Sequence, residues 1–381
     1  MVSLEVDAPN VLEWLNANSD ALQDCNPRRT DSLDERIDRS LEFFARLDAA
    51  GLTGWGWPTE SGGRGGSTEH RAELYDAITA AGFGMPEQVG ALEVLGSALV
   101  AHNPGLASRY LPELLAGRAL WCQGFSEPEA GSDLASLRTK AVPDGDGWKI
   151  TGQKVWTSLG HRSDWCGVLA RTGAPDSRHR GLTLFWVDLK APGVEVRPLL
   201  TLTGEEEFSE VFLDGVHVPA DHVVGPVDGG WGVAMDLLQY ERGMWAWQRQ
   251  AIMHSTLSGL VADLDGADVL AASAVAEAYT SLAALRMRCR ETVKRLAAGE
   301  RLGPEVSIDK ILLGQTEHLV HDAVRAVHVR DFAVGDSAEA DTERAEWFYS
   351  RAATVYGGAA EVQKNIVAER VLGLPREAAR G

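Results

Sequence analysis

Apolar residues recur at helical spacing toward both ends of this chain and in short, turn-bounded runs in its middle. Near the start, Ile37, Leu41, Phe44 and Leu47 predict a helix from Leu33 onward, with Asp31 or Ser32 as its cap. Six glycines and a proline between Gly54 and Gly66 predict an irregular loop. Ser67 then caps a helix running through Tyr75, and further helices are expected over about 87–101 and 107–115. The texture changes near residue 120. Asp144-Gly145-Asp146-Gly147 reads as a hairpin turn between Thr139–Val142 and Trp148–Thr151. Strand-like runs follow at 165–170, 182–187, 194–200 and 210–213. Beyond Gly229-Gly230 the helical period returns, predicting long helices over about 231–262, 268–296 and 306–332. A last helical section is interrupted at Tyr356-Gly357-Gly358 and resumes to Gly373. Segregated helices, strands and helices predict an α+β fold: a helical block over 1–119, a β domain over 120–226 and a helical bundle over 227–381.

Within the first bundle helix, the stretch Leu237–Met244 sets one carboxylate, Glu241, among Met235, Leu237, Leu238, Met244 and Trp245. Leu237, Glu241, Met244 and Trp245 are spaced to share a face. A charged group on an apolar face is costly unless it is paired or its site favours the neutral form. Two readings stand: a helix-face Glu paired with a distant Lys or Arg, or a general base in a dry pocket.

Composition narrows the class. The 381 residues are 45% hydrophobic, enough for a large core. A net charge of −19 argues against nucleic-acid binding and against an anionic membrane surface. A local basic pocket or helix N-terminus could still take a phosphate. The four cysteines, Cys25, Cys122, Cys166 and Cys289, lack metal-ligand or disulfide spacing, so no metal site is expected. Without a signal-like segment or a run of about eighteen apolar residues, the expectation is a soluble, cytoplasmic protein. The absence of G-x-G-x-x-G and Walker patterns from the β domain speaks against a nicotinamide or P-loop site.

Three motifs carry more. They are Phe125-Ser126-Glu127-Pro128-Glu129-Ala130-Gly131-Ser132-Asp133, then Gly152-Gln153-Lys154-Val155-Trp156-Thr157-Ser158, then Val355-Tyr356-Gly357-Gly358 continuing to Gly373. In this order the chain resembles the acyl-CoA dehydrogenase family over essentially its whole length. The resemblance implies FAD held between a barrel-like β domain and the bundle. Phe125 and Ser126 would meet the isoalloxazine, Gly131 and Ser132 would line the pyrophosphate or pantetheine side, and Trp156 would cover the flavin face away from substrate. Thr157 and Ser158 would donate to the ring; fixed donors there stabilise charge that develops on reduction. The implied reaction removes the α-proton of an acyl-CoA thioester while the β-hydrogen leaves as hydride to the flavin. Electrons then pass to an electron-transfer flavoprotein, within lipid metabolism.

One position for the family's base is the residue after the Tyr of the C-terminal motif, and here that residue is Gly357. The isovaleryl- and long-chain-type members carry the base on the first bundle helix, before an Arg, and Glu241-Arg242 matches that pattern. The resemblance therefore implies Glu241 as base, with Tyr240, Arg242, Ser132 and the Gly357 amide toward substrate. Gly243, Met244 and the 83–90 loop are expected to shape the acyl pocket. The segment 260–272 lacks the Arg and Phe-Gly that family members often send to a neighbour's FAD, and it is acidic instead. Ala359 stands where a Thr often contacts FAD. A heterotetramer with a related subunit, as in steroid side-chain degradation, and a homo-oligomer holding FAD with fewer contacts both follow. Three alternatives to the dehydrogenase stand: a flavin-dependent monooxygenase, a carrier-protein-thioester dehydrogenase, and a non-catalytic subunit of a heteromer.

Overall fold

The computed structural model describes residues 9–266 and 268–376. Ser32 is the cap of the helix Leu33–Ala49, and its exchange of hydrogen bonds with Glu35 makes a capping box. Ser67 caps Thr68–Ala80. The glycine-rich loop folds back on itself by pairing Trp57 with Gly65. A Cβ on Gly63 would lie 2.2 Å from the Trp57 carbonyl oxygen, so close backbone approach requires glycine there. The expected helix near 87–101 forms from Gln88 to His102, but its middle, Leu92–Gly96, widens into a π-turn.

The middle of the chain makes an eight-stranded sheet. Its strands are β1 (Trp121–Gly124), β2 (Lys140–Asp144), β3 (Gly147–Ser158), β4 (Trp165–Arg171), β5 (Leu182–Asp188), β6 (Val194–Leu199), β7 (Phe208–Pro219) and β8 (Val223–Val224). The order is β6-β7-β3-β2-β4-β5-β8, with β1 pairing β4 in parallel from outside this path. The Asp144–Gly147 turn joins β2 to β3 as the sequence predicts. Strand β3 runs well beyond the predicted Thr151, so Trp156, Thr157 and Ser158 stand at a strand end. Val168, Phe185, Val211 and Val216 fill the inner face. All four cysteines are buried free thiols.

The C-terminal helices form a bundle. The first two segments, Gly230–Tyr240 and Ala246–Asp263, are one helix loosened at Glu241–Trp245 into a second π-turn. The two π-turns pack against each other. Asp268 caps Val269–Ala297, and Ser307–Val327 packs beside that helix. The predicted third helix breaks at His328, where the backbone leaves helical values, and restarts as Val329–Val334. The last section is Ala338–Arg351 followed, after the 352–359 turn, by Ala360–Ile366.

One guanidinium ties the N-terminal helices to the sheet. Arg36 is 2% exposed, meets Glu87 at 2.6 Å and holds Glu205, before β7, through bonds of 2.8 and 3.0 Å. Removing one partner of such a cluster leaves unpaired charge behind. Arg36→Met should lower unfolding free energy by about 3–5 kcal/mol in denaturant titration. Arg36→Lys should recover little, because a lysine lacks the fork that spans both carboxylates.

Candidate active site

A buried ion pair joins the two motifs of the β domain. The Glu127 carboxylate accepts the amide hydrogens of Arg138 at 2.6 Å and Thr139 at 2.9 Å. It also takes the Lys154 ammonium at 2.7 Å, and Lys154 donates again to the Phe125 carbonyl at 3.1 Å. Burial pushes Lys154 down to about 8 against the pull of Glu127. Burial alone would raise Glu127, but Lys154 and the amide donors outweigh it and leave the carboxyl below its usual range. The Ser126 carbonyl accepts from Val155 N at 3.0 Å, which locks the first motif against β3.

Between Lys154 and Thr157 the β3–β7 register slips, and the bulge turns out Trp156 at φ +60°. Trp156 is 61% exposed and is braced edge-on by Phe208, with ring centroids 5.9 Å apart. Next to this indole plane, the Thr157 hydroxyl is buried and has no hydrogen-bond partner among the described residues. Such an orphan needs an explanation, and a ligand acceptor at that point supplies one. Phe125 is buried, Ser126 is half-buried, and Ser158, Gly131 and Ser132 are exposed. No protein atom lies within 4 Å of where a Gly131 Cβ would stand. A flat aromatic face, an unpartnered hydroxyl and an open glycine fit a flavin nucleotide.

Glu241 occupies the first position of its π-turn and reaches across to the 352–359 turn. A Cβ built on Gly357 would lie 2.7 Å from Glu241 Oε1. Gly357 also has φ +59°, so the turn demands glycine twice over, by conformation and by the carboxylate filling the space beside it. Glu241 is half-buried as a residue, yet its carboxyl is enclosed; burial raises its pKa, with Arg242 and Lys310 pulling the other way. It accepts no hydrogen bond from a described residue, and the Gly357 amide donates none to one. The helix-face ion pair left open by the sequence does not form: no cation comes within 4 Å of Glu241.

Arg242 points to the neighbouring glycine, with a terminal nitrogen 3.9 Å from a would-be Gly358 Cβ. Its Nε is buried without a partner, and burial lowers its pKa. Tyr240 turns the other way. It lines a cleft of about 130 Å³ with Ser97, His102, Asp236 and Arg301, one turn before Glu241 on the same helix. Gly243 and Met244 do not face the pocket as expected. The π-turn rotates them into the bundle, where Met244 is fully buried and Gly243 abuts Thr292 and Leu296. In the 83–90 loop, Gly84 is pressed onto the Pro27 carbonyl, which leaves no room for a side chain.

Contacts link the two halves of the site. Tyr349 approaches Glu207, the residue before Phe208, and its ring centroid lies 5.8 Å from that of Tyr356, beside Gly357. Burial and Glu87 raise Glu207 to about 7. Sequence reasoning missed Lys154 with Glu127, and also Lys310. Lys154 falls in step with the inward Ile150 of β3, a signal that was there to read. Glu93, buried on the other π-turn and bonded by Tyr75 at 2.5 Å, was missed as well.

Comparisons with known proteins agree with this architecture. Residues 122–216 match the model of the acyl-CoA dehydrogenase middle domain, and residues 228–372 match that of the C-terminal domain. The chain is 43% identical over 353 residues to "Acyl-CoA dehydrogenase IpdE1" of Mycobacterium tuberculosis, covering 90% of each chain. Among solved structures, "Tcur3481-Tcur3483 steroid ACAD" superposes with a TM-score of 0.82 at 26% identity, over 97% of this chain and 99% of that one. The "ChsE4-ChsE5 complex from Mycobacterium tuberculosis" shares the fold, with a TM-score of 0.78 at 24% identity over 99% of this chain and 100% of that one. Helical blocks around a flavin-type β domain, three motifs in order and these matches lead to one conclusion: this chain belongs to the acyl-CoA dehydrogenase family, oxidoreductases that act on CH–CH groups.

Proposed function

We propose that this chain dehydrogenates an acyl-CoA thioester at its α,β-carbons, with Glu241 as the base and FAD held by the β domain. The observation that carries the reading is the carboxylate of Glu241 set against Gly357, enclosed, free of any ion pair and raised in pKa. A carboxylate poised in this way is a better proton acceptor than an exposed one. The thioester oxygen takes the Gly357 amide hydrogen, which strengthens the α-carbon as an acid. The α C–H bond breaks, its proton joins Glu241 Oε1, and the electron pair enters the forming double bond. FAD, when bound, accepts the β-hydrogen with its electron pair. Phe125, Ser126 and the Thr157 hydroxyl would hold the ring edge, Trp156 would cover one face, and Ser158, Gly131 and Ser132 would border the nucleotide. Arg242 and Tyr240 flank the base on its two sides, toward the thioester and toward the entry cleft.

The substrate we favour is the CoA thioester of a steroid-derived acid. The resemblance to a protein titled a steroid ACAD supports this choice. The same title names two components, and this chain has reasons of its own for a related subunit as partner. The segment expected to reach a neighbour's cofactor is acidic, and Asp268 within it is spent on capping the next helix. That helix exposes Leu270, Tyr279 and Met287. An electron-transfer flavoprotein is the expected electron acceptor.

Three outcomes check these proposals. Glu241→Gln should keep its flavin but lose bleaching by acyl-CoA by a factor of about 10² or more, measured by stopped-flow absorbance. Gly357→Ala should lose both thermal stability and bleaching, because its methyl collides with Glu241. Combining it with Glu241→Gly should recover stability but not bleaching, a non-additive cycle. Co-expression with a related subunit should raise flavin per chain above that of the lone chain; full occupancy in the lone chain rules against a borrowed cofactor site.

A further inference from the structure

Lys310 is buried in the bundle, only 4% exposed, and no step above uses it. It lies on the far side of Gly357 from the base. The point where a Gly357 Cβ would stand is 3.3 Å from Lys310 Cε and 2.7 Å from Glu241 Oε1. The ammonium donates to the Ala353 carbonyl and sits 4.8 Å from the centre of the Tyr356 ring. Lys310 therefore grips the 352–359 turn at two places, on either side of the residue that carries the proposed oxyanion donor. The Tyr356 hydroxyl donates to Glu317 at 2.8 Å, and Glu317 pairs with Arg249 at 2.6 Å.

The geometry points to Lys310 as a positioning residue for the reaction: it anchors the turn bearing Gly357 and supplies, without direct pairing, the positive field that keeps Glu241 ionised. The inference rests on Glu241 being the base.

Direct pairing would defeat the chemistry, because a carboxylate bonded to an ammonium gives up basicity to that bond. Lys310 avoids this by spending its hydrogen bond on Ala353 and its open face on Tyr356. Its charge still reaches Glu241 through low-dielectric surroundings. The charged groups facing Lys310 are Glu317 on its own helix, Glu241 and Arg242 on the π-turn, and Arg249 on the helix that follows. Burial draws Lys310 down to about 8, with Glu317 and then Glu241 opposing, so it is mostly cationic at neutral pH and fully so below. The sign follows. The cation stabilises the carboxylate, so removing it raises the pKa of the base, and the acid limb of the rate profile moves to higher pH.

The test uses the flavin-loaded enzyme and one probe. That probe is whichever CoA thioester bleaches the flavin fastest, out of a series of straight-chain, branched and steroid-side-chain acids. The second-order bleaching rate is measured against pH. Lys310→Met should move the acid limb up by about one to two pH units. Lys310→Arg, which keeps the cation, should leave the limb near the wild-type position. Glu317→Gln leaves Lys310 in place and removes the anion that offsets it, so the limb should move down. This arm decides the matter if Lys310→Met does not fold or load flavin. A limb that stays fixed in Lys310→Met, or in Glu317→Gln when that arm is needed, overturns the inference. Glu241→Gln separates the two claims: bleaching that survives in it removes the base itself, whereas a fixed limb with Glu241→Gln inactive removes only the role of Lys310.

Discussion

A single point beside the α-carbon of Gly357 cannot hold both a side chain and the carboxylate that already crowds it. The rest of the site follows from that exclusion. Because the carboxylate comes from the helix at Glu241, the turn at 352–359 is free to be glycine, to adopt φ +59° and to expose an amide. Because the turn is glycine, the helix must carry the acid. Each choice makes the other necessary, and neither residue has an obvious purpose when viewed alone.

Around this point, buried charges hold separate parts of the chain in register. Arg36 bridges the N-terminal helices to the loop before β7, Glu127 with Lys154 fastens one motif to the next, and Arg249 with Glu317 braces the bundle behind Tyr356. Such pairs add little net stability after desolvation. Their use here is geometric. Each sits where two sequence-distant segments must keep a fixed separation for a ligand to fit between them.

Much of this was legible from residue order. Ser32 and Ser67 announced their helices, Asp144–Gly147 its hairpin, and Asp268 the start of a bundle helix. Glu241 stood out as an acid in apolar company. What stayed hidden depends on contacts between distant residues. A helical wheel predicts Gly243 and Met244 beside the base, but the π-turn carries them inward. Nothing local marks Lys310 as different from a surface lysine, since its burial is decided by the turn that folds over it. The long reach of β3 was missed because Gly152 and the bulge before Thr157 break the two-residue alternation on which strand reading rests.

The widened turn at Glu241–Trp245 has a further consequence for how this helix can change length. A π-turn stores one residue more than the regular spiral. Removing a single residue there would restore an ideal spiral, but everything beyond it would swing by about 100° relative to what precedes it. Trp247, whose indole bonds the Ala72 carbonyl, and Gln248, bonded to the Val89 carbonyl, would lose their footing at once. Insertions and deletions are thereby driven out of this segment and into the loops. The surplus residue acts as a spacer, setting the angle between the half of the helix that bears the acid and the half that docks on the N-terminal layer.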